Sequence, residues 1–179
     1  MSGRAVAVRW SAVPSRARER DLAVLDPEGR RRAATIVHGA VRARHVTAWA
    51  LLRRLLSTLH GVAPDAVPLT SRADGRPVTE GPTSVSIAHT RDLIVVAACL
   101  DGRIGVDVER GDRWPLPAPA AWCTSAELAT LRGLPPGAHH RWLVRRWTVK
   151  EATYKAGLAD APAVRWLDPT GEHVVAVVT

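Results

Sequence analysis

Phenylalanine, asparagine and glutamine are absent from this chain, and lysine and cysteine occur only twice each. Two cysteines, Cys99 and Cys123, make neither a disulfide framework nor a metal-ligand spacing. No apolar run approaches the roughly 18 residues of a membrane helix; Leu93–Leu100 is the longest. The opening MSGRAVAVRW has no apolar signal-peptide core. There is no low-complexity tract, and the composition excludes collagen-like, coiled-coil and disordered chains. The expectation is a cytoplasmic protein without a membrane partner. Its 179 residues fit one domain or two small ones, enough to bury a core without disulfides.

What is present is arginine. The 25 basic residues outnumber 17 acidic ones, and only Lys150 and Lys155 among them are lysine. A G+C-rich gene explains the bias, since it replaces surface lysine with arginine. Two lysines survive within one short segment, where the compact ammonium is not interchangeable with a guanidinium. That clustering points to a site. The charge is also uneven: residues 1–101 carry 15 Arg against nine acids, and the stretch from Gly29 to Pro64 has no acid at all. Such a surface suits phosphates, nucleic acid or an acidic protein.

Periodicity and caps place the elements. Arg4–Trp10 reads as a strand. Asp26-Pro27-Glu28 opens a helix running to about Val37, with Asp at the N-cap and Pro at N1. Val41, His45, Ala48, Leu52, Leu55 and Leu59 recur at helical spacing up to Gly61, leaving Arg42, Arg53 and Arg54 off the apolar stripe. Ala73–Pro77 is a turn. Val85–His89, Leu93–Leu100 and Arg103–Glu109 read as strands, the last two joined by an Asp101-Gly102 hairpin. Residues 112–120 form a Pro-rich loop. Thr124 and Glu127 make a capping box for a helix ending near Gly133. Pro135-Pro136 break the chain, and His139-His140 read as loop surface. A long helix covers Arg141–Ala156, with Gly157 beyond it. Val164–Leu167 and His173–Val178 make a closing hairpin around Asp168-Pro-Thr-Gly171. Trp10, Trp49, Trp114, Trp122, Trp142 and Trp166 read as core in place of phenylalanine. The mixture without a regular βαβ alternation favours an α+β class.

Two segments carry chemistry. In Gly105-Val-Asp-Val-Glu109, alternation puts Gly105, Asp107 and Glu109 on one face of a strand. Two carboxylates one pleat apart can share a hard cation, Mg²⁺ or Mn²⁺, with Gly105 leaving room beside them. The plainer reading is an edge strand with two solvated acids. On the long helix, Trp147, Glu151 and Lys155 share a face. The plainer reading there is a core Trp and an ordinary Glu151–Lys155 pair. Lys150, a third of a turn from Glu151, points to solvent. If Glu151 joins Asp107 and Glu109, three carboxylates and a lysine make a kit for metal-assisted attack on a phosphate. In Ser86-Ile-Ala-His-Thr90, His89 taken alone reads as a core histidine.

The Gly105–Glu109 segment, followed about forty residues later by Trp147-Thr-Val-Lys-Glu-Ala-Thr-Tyr-Lys-Ala156, resembles the paired signatures of the 4′-phosphopantetheinyl transferases. Ser86–Thr90 is similar to the strand-and-histidine motif of the surfactin-synthetase-activating type, and Gly75-Arg-Pro77 to its Gly-Lys-Pro turn. Pro27–Arg30 and the helix from Arg44 to Arg53 follow the family's N-terminal half. Ala88 and Ser86 stand where the family often has Ser and Asn, and Trp122 where a Phe is expected.

The resemblance implies a pseudo-dimer of two similar α+β halves, 1–101 and 102–179, with the active site in the cleft between them. The N-terminal half would grip coenzyme A, and the C-terminal half would hold the metal and the catalytic groups. Asp107, Glu109 and Glu151 would hold Mg²⁺. Glu151 would also act as base for a carrier serine, and Lys155 would stabilise the departing 3′,5′-ADP. Arg32, Arg44, His45, Arg76 and His89 would grip the phosphates and adenosine, together with Lys155. The implied partner is an acidic apo acyl or peptidyl carrier protein, and the internal pairing of halves implies a monomer. The alternative, a basic nucleic-acid-binding protein, rests on the charge and the arginine-rich helix. It has no recognisable nucleic-acid motif, and it leaves the carboxylates and lysines unexplained.

Overall fold

The computed structural model describes residues 5–112, 117–159 and 162–179. Arg4, Trp114 and the middle of the Pro-rich loop lie outside the described residues.

In chain order the elements are β1 (Val6–Ala12), α1 (Glu19–Leu22), α2 (Pro27–Thr35) and α3 (Gly39–His60). There follow β2 (Leu69–Ser71), β3 (Pro77–Thr79), β4 (Ser84–His89), β5 (Leu93–Cys99) and β6 (Gly105–Arg110). The chain closes with α4 (Ser125–Gly133), α5 (Pro136–Ala156), β7 (Val164–Leu167) and β8 (His173–Val178). It is a mixed α and β protein with small antiparallel sheets.

Local chemistry explains most boundaries. The Asp26 carboxylate accepts the Gly29 N–H at 2.6 Å and caps α2, with Pro27 at the first helical position. Thr124 and Glu127 form the expected capping box of α4. Gly61 and Gly157 end the two long helices at φ of 68° and 64°, a left-handed conformation that a Cβ would strain. The Pro135-Pro136 pair starts α5 instead of breaking the chain. Proline is at home in the first turn, where its missing N–H would bond to nothing. His139 and His140 therefore sit in the helix, facing the carbonyls of Leu134 and Gly111 at 2.9 and 3.0 Å.

Two three-stranded sheets form, in the orders β1-β5-β4 and β6-β8-β7, with β2 and β3 as a separate pair. In each, a long helix lies between the first strand and a closing hairpin whose last strand takes the centre. The Asp101-Gly102 hairpin does not exist. β5 pairs with β1 and β4, and β6 pairs with β8, so Asp101-Gly102 crosses between sheets. Gly102, at φ 141°, makes that crossing. The seam is closed by side chains: the N–H groups of Ile104 and Val106 donate to the hydroxyls of Ser84 and Ser86 at 3.2 and 3.1 Å.

The core is aliphatic. Leu93, Val95 and Ala97 of β5 meet Val106, Val108, Val175 and Val177 between the sheets. The other face of β5 packs on Ala48, Leu52, Leu55 and Leu56 of α3. Tryptophan borders the core instead of filling it: half-buried Trp49 packs against two core clusters, whereas Trp10 is 48% and Trp166 38% exposed. Nor is Arg53 a solvated residue. It is fully buried, paired with Asp26 and bonded to the carbonyls of Pro64, Val67 and Leu69, because chain wraps α3 on that side as well.

Candidate active site

Strand β6 and helix α5 build the centre. Val106 and Val108 enter the inter-sheet core, so Gly105 and Asp107 turn toward α5, as alternation requires. The space beside Gly105 is not free for a cation. A Cβ there would overlap the backbone carbonyl of Ala152 and crowd the amide of Ala156. Glycine lets α5 lie directly on β6, and the close approach carries the α5 side chains to the strand.

Lys155 Nζ donates to Asp107 Oδ1 at 2.6 Å. Asp107 is only 7% exposed, so the solvated edge-strand reading does not hold. Burial pushes its carboxyl up to about 6. Lys155 opposes that shift, while Glu109 and Glu151 add to it, which places all three carboxylates in one electrostatic neighbourhood. Asp107 Oδ2 is buried and takes no hydrogen bond among the described residues. That spare oxygen, with two further carboxylates nearby, fits a hard divalent cation in donor chemistry. Among the described residues no three His, Cys, Asp or Glu side chains form a ready-made metal cage.

Two clefts open beside this centre. The larger, of about 750 Å³, is lined by Arg72, Arg76, Arg103, Glu151, Tyr154 and Lys155, among others. The second, of about 420 Å³, is lined by Arg44, His45, Trp49, Arg76, His89 and Lys155 among others. They share Arg76 and Lys155. Arg76 comes from the turn between β2 and β3; it lies over the Tyr154 ring at 4.8 Å and faces Asp74 at 3.5 Å. His89 is no core residue: it is exposed at the end of β4, lining the second cleft. Partial burial, then the charges of Arg44 and Lys155, lowers its pKa. Burial and Arg32 lower that of His45 in the same way. Both imidazoles thus stand neutral among cations, ready to gain from an incoming anion. Arg32 lines a separate small cavity that it shares with His45.

Six expected residues therefore meet at the joined clefts: Arg44, His45, Arg76, His89, Glu151 and Lys155. Asp107 reaches the clefts through its pair with Lys155, Glu109 acts on Asp107 through its charge, and Arg32 lines the separate cavity beside His45. Lys150 does not point to solvent. Its ammonium pairs with Glu127 at 2.8 Å and donates to the Trp122 carbonyl at 2.9 Å. Glu127 also takes Arg146, so one carboxylate caps α4 and pins it to α5. The sequence shows Glu127 only as a cap; its second task depends on a fold partner 19 residues away. Arg72 and Arg103 lie outside the motifs, whereas Tyr154 stands inside the Trp147–Ala156 segment with no role assigned to it. Its place beside Lys155 in that segment, and its being the only tyrosine in the chain, were the available signals.

Residues 103–173 match the family model described as the 4′-phosphopantetheinyl transferase superfamily. The match spans β6, α5 and the start of β8, and leaves the arginine-rich part before residue 103 outside it. No curated protein matches the chain. The family match supports a transferase that moves phosphopantetheine. Proteins of that superfamily take coenzyme A as substrate, typically use a divalent metal, and act on carrier proteins.

Proposed function

We propose that this protein transfers 4′-phosphopantetheine from coenzyme A to a serine hydroxyl of an acidic apo acyl or peptidyl carrier protein, releasing 3′,5′-ADP. In this reading it is a cytoplasmic monomer of the surfactin-synthetase-activating type. The observation that carries the reading is the Asp107–Lys155 contact. It joins the two motifs across 48 residues, beside clefts lined by arginine and histidine. The repeated strand–helix–hairpin order supports two similar halves, 1–101 and 102–179, facing each other across that site.

The chain's own groups then have distinct tasks. Arg44, His45, Arg76 and His89 hold the coenzyme's phosphates and adenosine from the second cleft, with Arg32 behind His45. Asp107, Glu109 and Glu151 are the oxygen donors for Mg²⁺ or Mn²⁺. A divalent cation there would offset charge on the pyrophosphate. Glu151 takes the proton from the serine hydroxyl, a weak nucleophile without a base. The serine oxygen bonds to the phosphorus bearing pantetheine, and the bond to the bridging pyrophosphate oxygen breaks. Lys155 stands at the junction of the clefts to neutralise the charge appearing on the departing 3′,5′-ADP.

The nucleic-acid reading loses its main support. Arg53 is spent inside the protein, and Arg54 pairs with Asp21 at 2.7 Å, so α3 is not a row of outward cations.

The test is the intact mass of apo carrier proteins after incubation with coenzyme A, Mg²⁺ and the protein. The expected outcome is a gain of one phosphopantetheine. Asp107→Ala and Glu151→Ala should each lower the rate by roughly two orders of magnitude or more while remaining folded. Wild-type protein that leaves both an acyl and a peptidyl carrier unchanged would reject the activity. Rapid labelling by Asp107→Ala at low Mg²⁺ would reject the metal role.

A further inference from the structure

Two arginines of the larger cleft remain once the proposed chemistry has been assigned. Arg72 and Arg103 line the larger cleft, and both are exposed. Neither forms an ion pair with a carboxylate among the described residues. Arg103 is held in place by its bond to the Gly157 carbonyl at the end of α5. On the same cleft lie Tyr154, 66% exposed, and Val78, 37% exposed. One cleft thus brings together two exposed apolar groups and the cations Arg72 and Arg103, with Arg76 over the Tyr154 ring. Tyrosine and arginine are the residues that dominate protein–protein contacts, whereas an isolated exposed tyrosine needs no such flanks.

The geometry of displacement selects the occupant. In-line attack requires the acceptor oxygen to approach opposite the leaving oxygen. The departing nucleotide belongs with the histidine-lined cleft. The acceptor therefore enters by the larger cleft, which Glu151 lines and the histidines do not. The pantetheine arm also lies on that side, but it carries only amides, hydroxyl and thiol. It offers no anion to Arg72 or Arg103.

We propose that Arg72, Tyr154 and Arg103 form the docking surface for the protein acceptor. Tyr154 seats an apolar side chain of the carrier, and the two guanidiniums receive carboxylates flanking its reactive serine. This rests on the transferase reading above and adds the place and the residues of acceptor recognition.

Steady-state transfer to an apo acyl carrier protein and an apo peptidyl carrier protein tests it, alongside coenzyme A titration of each variant. Arg72→Glu with Arg103→Glu should raise the carrier KM about tenfold or more, with kcat at saturating carrier and coenzyme affinity unchanged. Tyr154→Ala should raise the same KM. Arg103 also holds the end of α5, so Arg72→Glu alone is the second variant; among the described residues its side chain makes no hydrogen bond or ion pair, and its KM should rise about threefold. Replacing the carrier's acidic residues with lysine should restore binding to the charge-reversed protein. An unchanged carrier KM in all three variants overturns the surface while leaving the activity standing. A fall in coenzyme affinity in the arginine variants instead overturns it by placing the cations on the coenzyme's phosphates; Tyr154→Ala is read on the carrier KM alone, because Arg76 of the coenzyme grip rests on its ring. Wild-type protein inert toward both carriers brings down the transferase reading and this surface with it.

Discussion

Asp107 is buried where its charge is costly, and Lys155 only partly compensates. Burial raises its carboxyl from 3.8 to about 6. The folded protein then holds a proton that the unfolded chain releases. The stability this contributes is complete below about pH 4 and is lost as pH rises through about 6. Urea denaturation from pH 4 to 7, with chelator present, should show wild type losing stability relative to Asp107→Asn across that window. Parallel curves would mean that Asp107 ionises as an ordinary surface carboxyl. Glu127 behaves oppositely. Burial works against its charge, but hydrogen bonds from Lys150 and Arg146 prevail and hold it down at about 2. Its contribution is complete above about pH 4.5 and fades as pH falls toward 2. One lysine of the segment therefore serves the site and the other serves the packing of α4.

At the scale of elements, the contact of α5 with β6 depends on small residues. Gly105 lies against the α5 backbone, and Ala152 and Ala156 are the helix residues packed beside it. A methyl group at Gly105 meets backbone, which cannot rotate away. Gly105→Ala should cost about 1–3 kcal/mol or more and abolish transfer, because it lifts Lys155 from Asp107. Gly133→Ala is the control: nothing lies within 4 Å of the added carbon. Thermal melts and transfer rates measured together decide the matter. A stable, active Gly105→Ala would show that the helix can sit further out and still serve the site.

For the whole molecule, the seam between the two sheets is the exposed weakness. β4 and β6 lie side by side without a backbone ladder, and serine hydroxyls accept in place of carbonyls. Ser86 is 4% exposed, so removing its hydroxyl leaves the Val106 N–H buried without an acceptor. Ser86→Ala should lower stability by about 1–3 kcal/mol. It should also increase proteolysis near the 101–104 crossing. If stability is unchanged, the shared aliphatic core alone holds the sheets together.

What the sequence determined by itself was local. The Asp26 and Thr124 caps, the glycines ending α3 and α5 and the turns at Gly75 and Gly171 are all legible from it. So is the common face of Gly105, Asp107 and Glu109. Each follows from hydrogen bonds or steric limits acting within a few residues. The short strands β2 and β3 and helix α1 were not legible, because three or four residues carry too little period to detect. Tertiary structure alone decided that β6 leaves β5 for β8, although Asp-Gly is a good hairpin turn. β5 already carries β1 and β4 on its two edges, so it has no edge left for β6, which pairs with β8 instead. Packing also buried Arg53, drew Lys150 to Glu127 and Lys155 to Asp107, and gathered Arg72, Tyr154 and Arg103 around one cleft. Those meetings join residues up to 82 positions apart. Their free energy comes from burial and charge pairing in the assembled molecule, which no local pattern encodes.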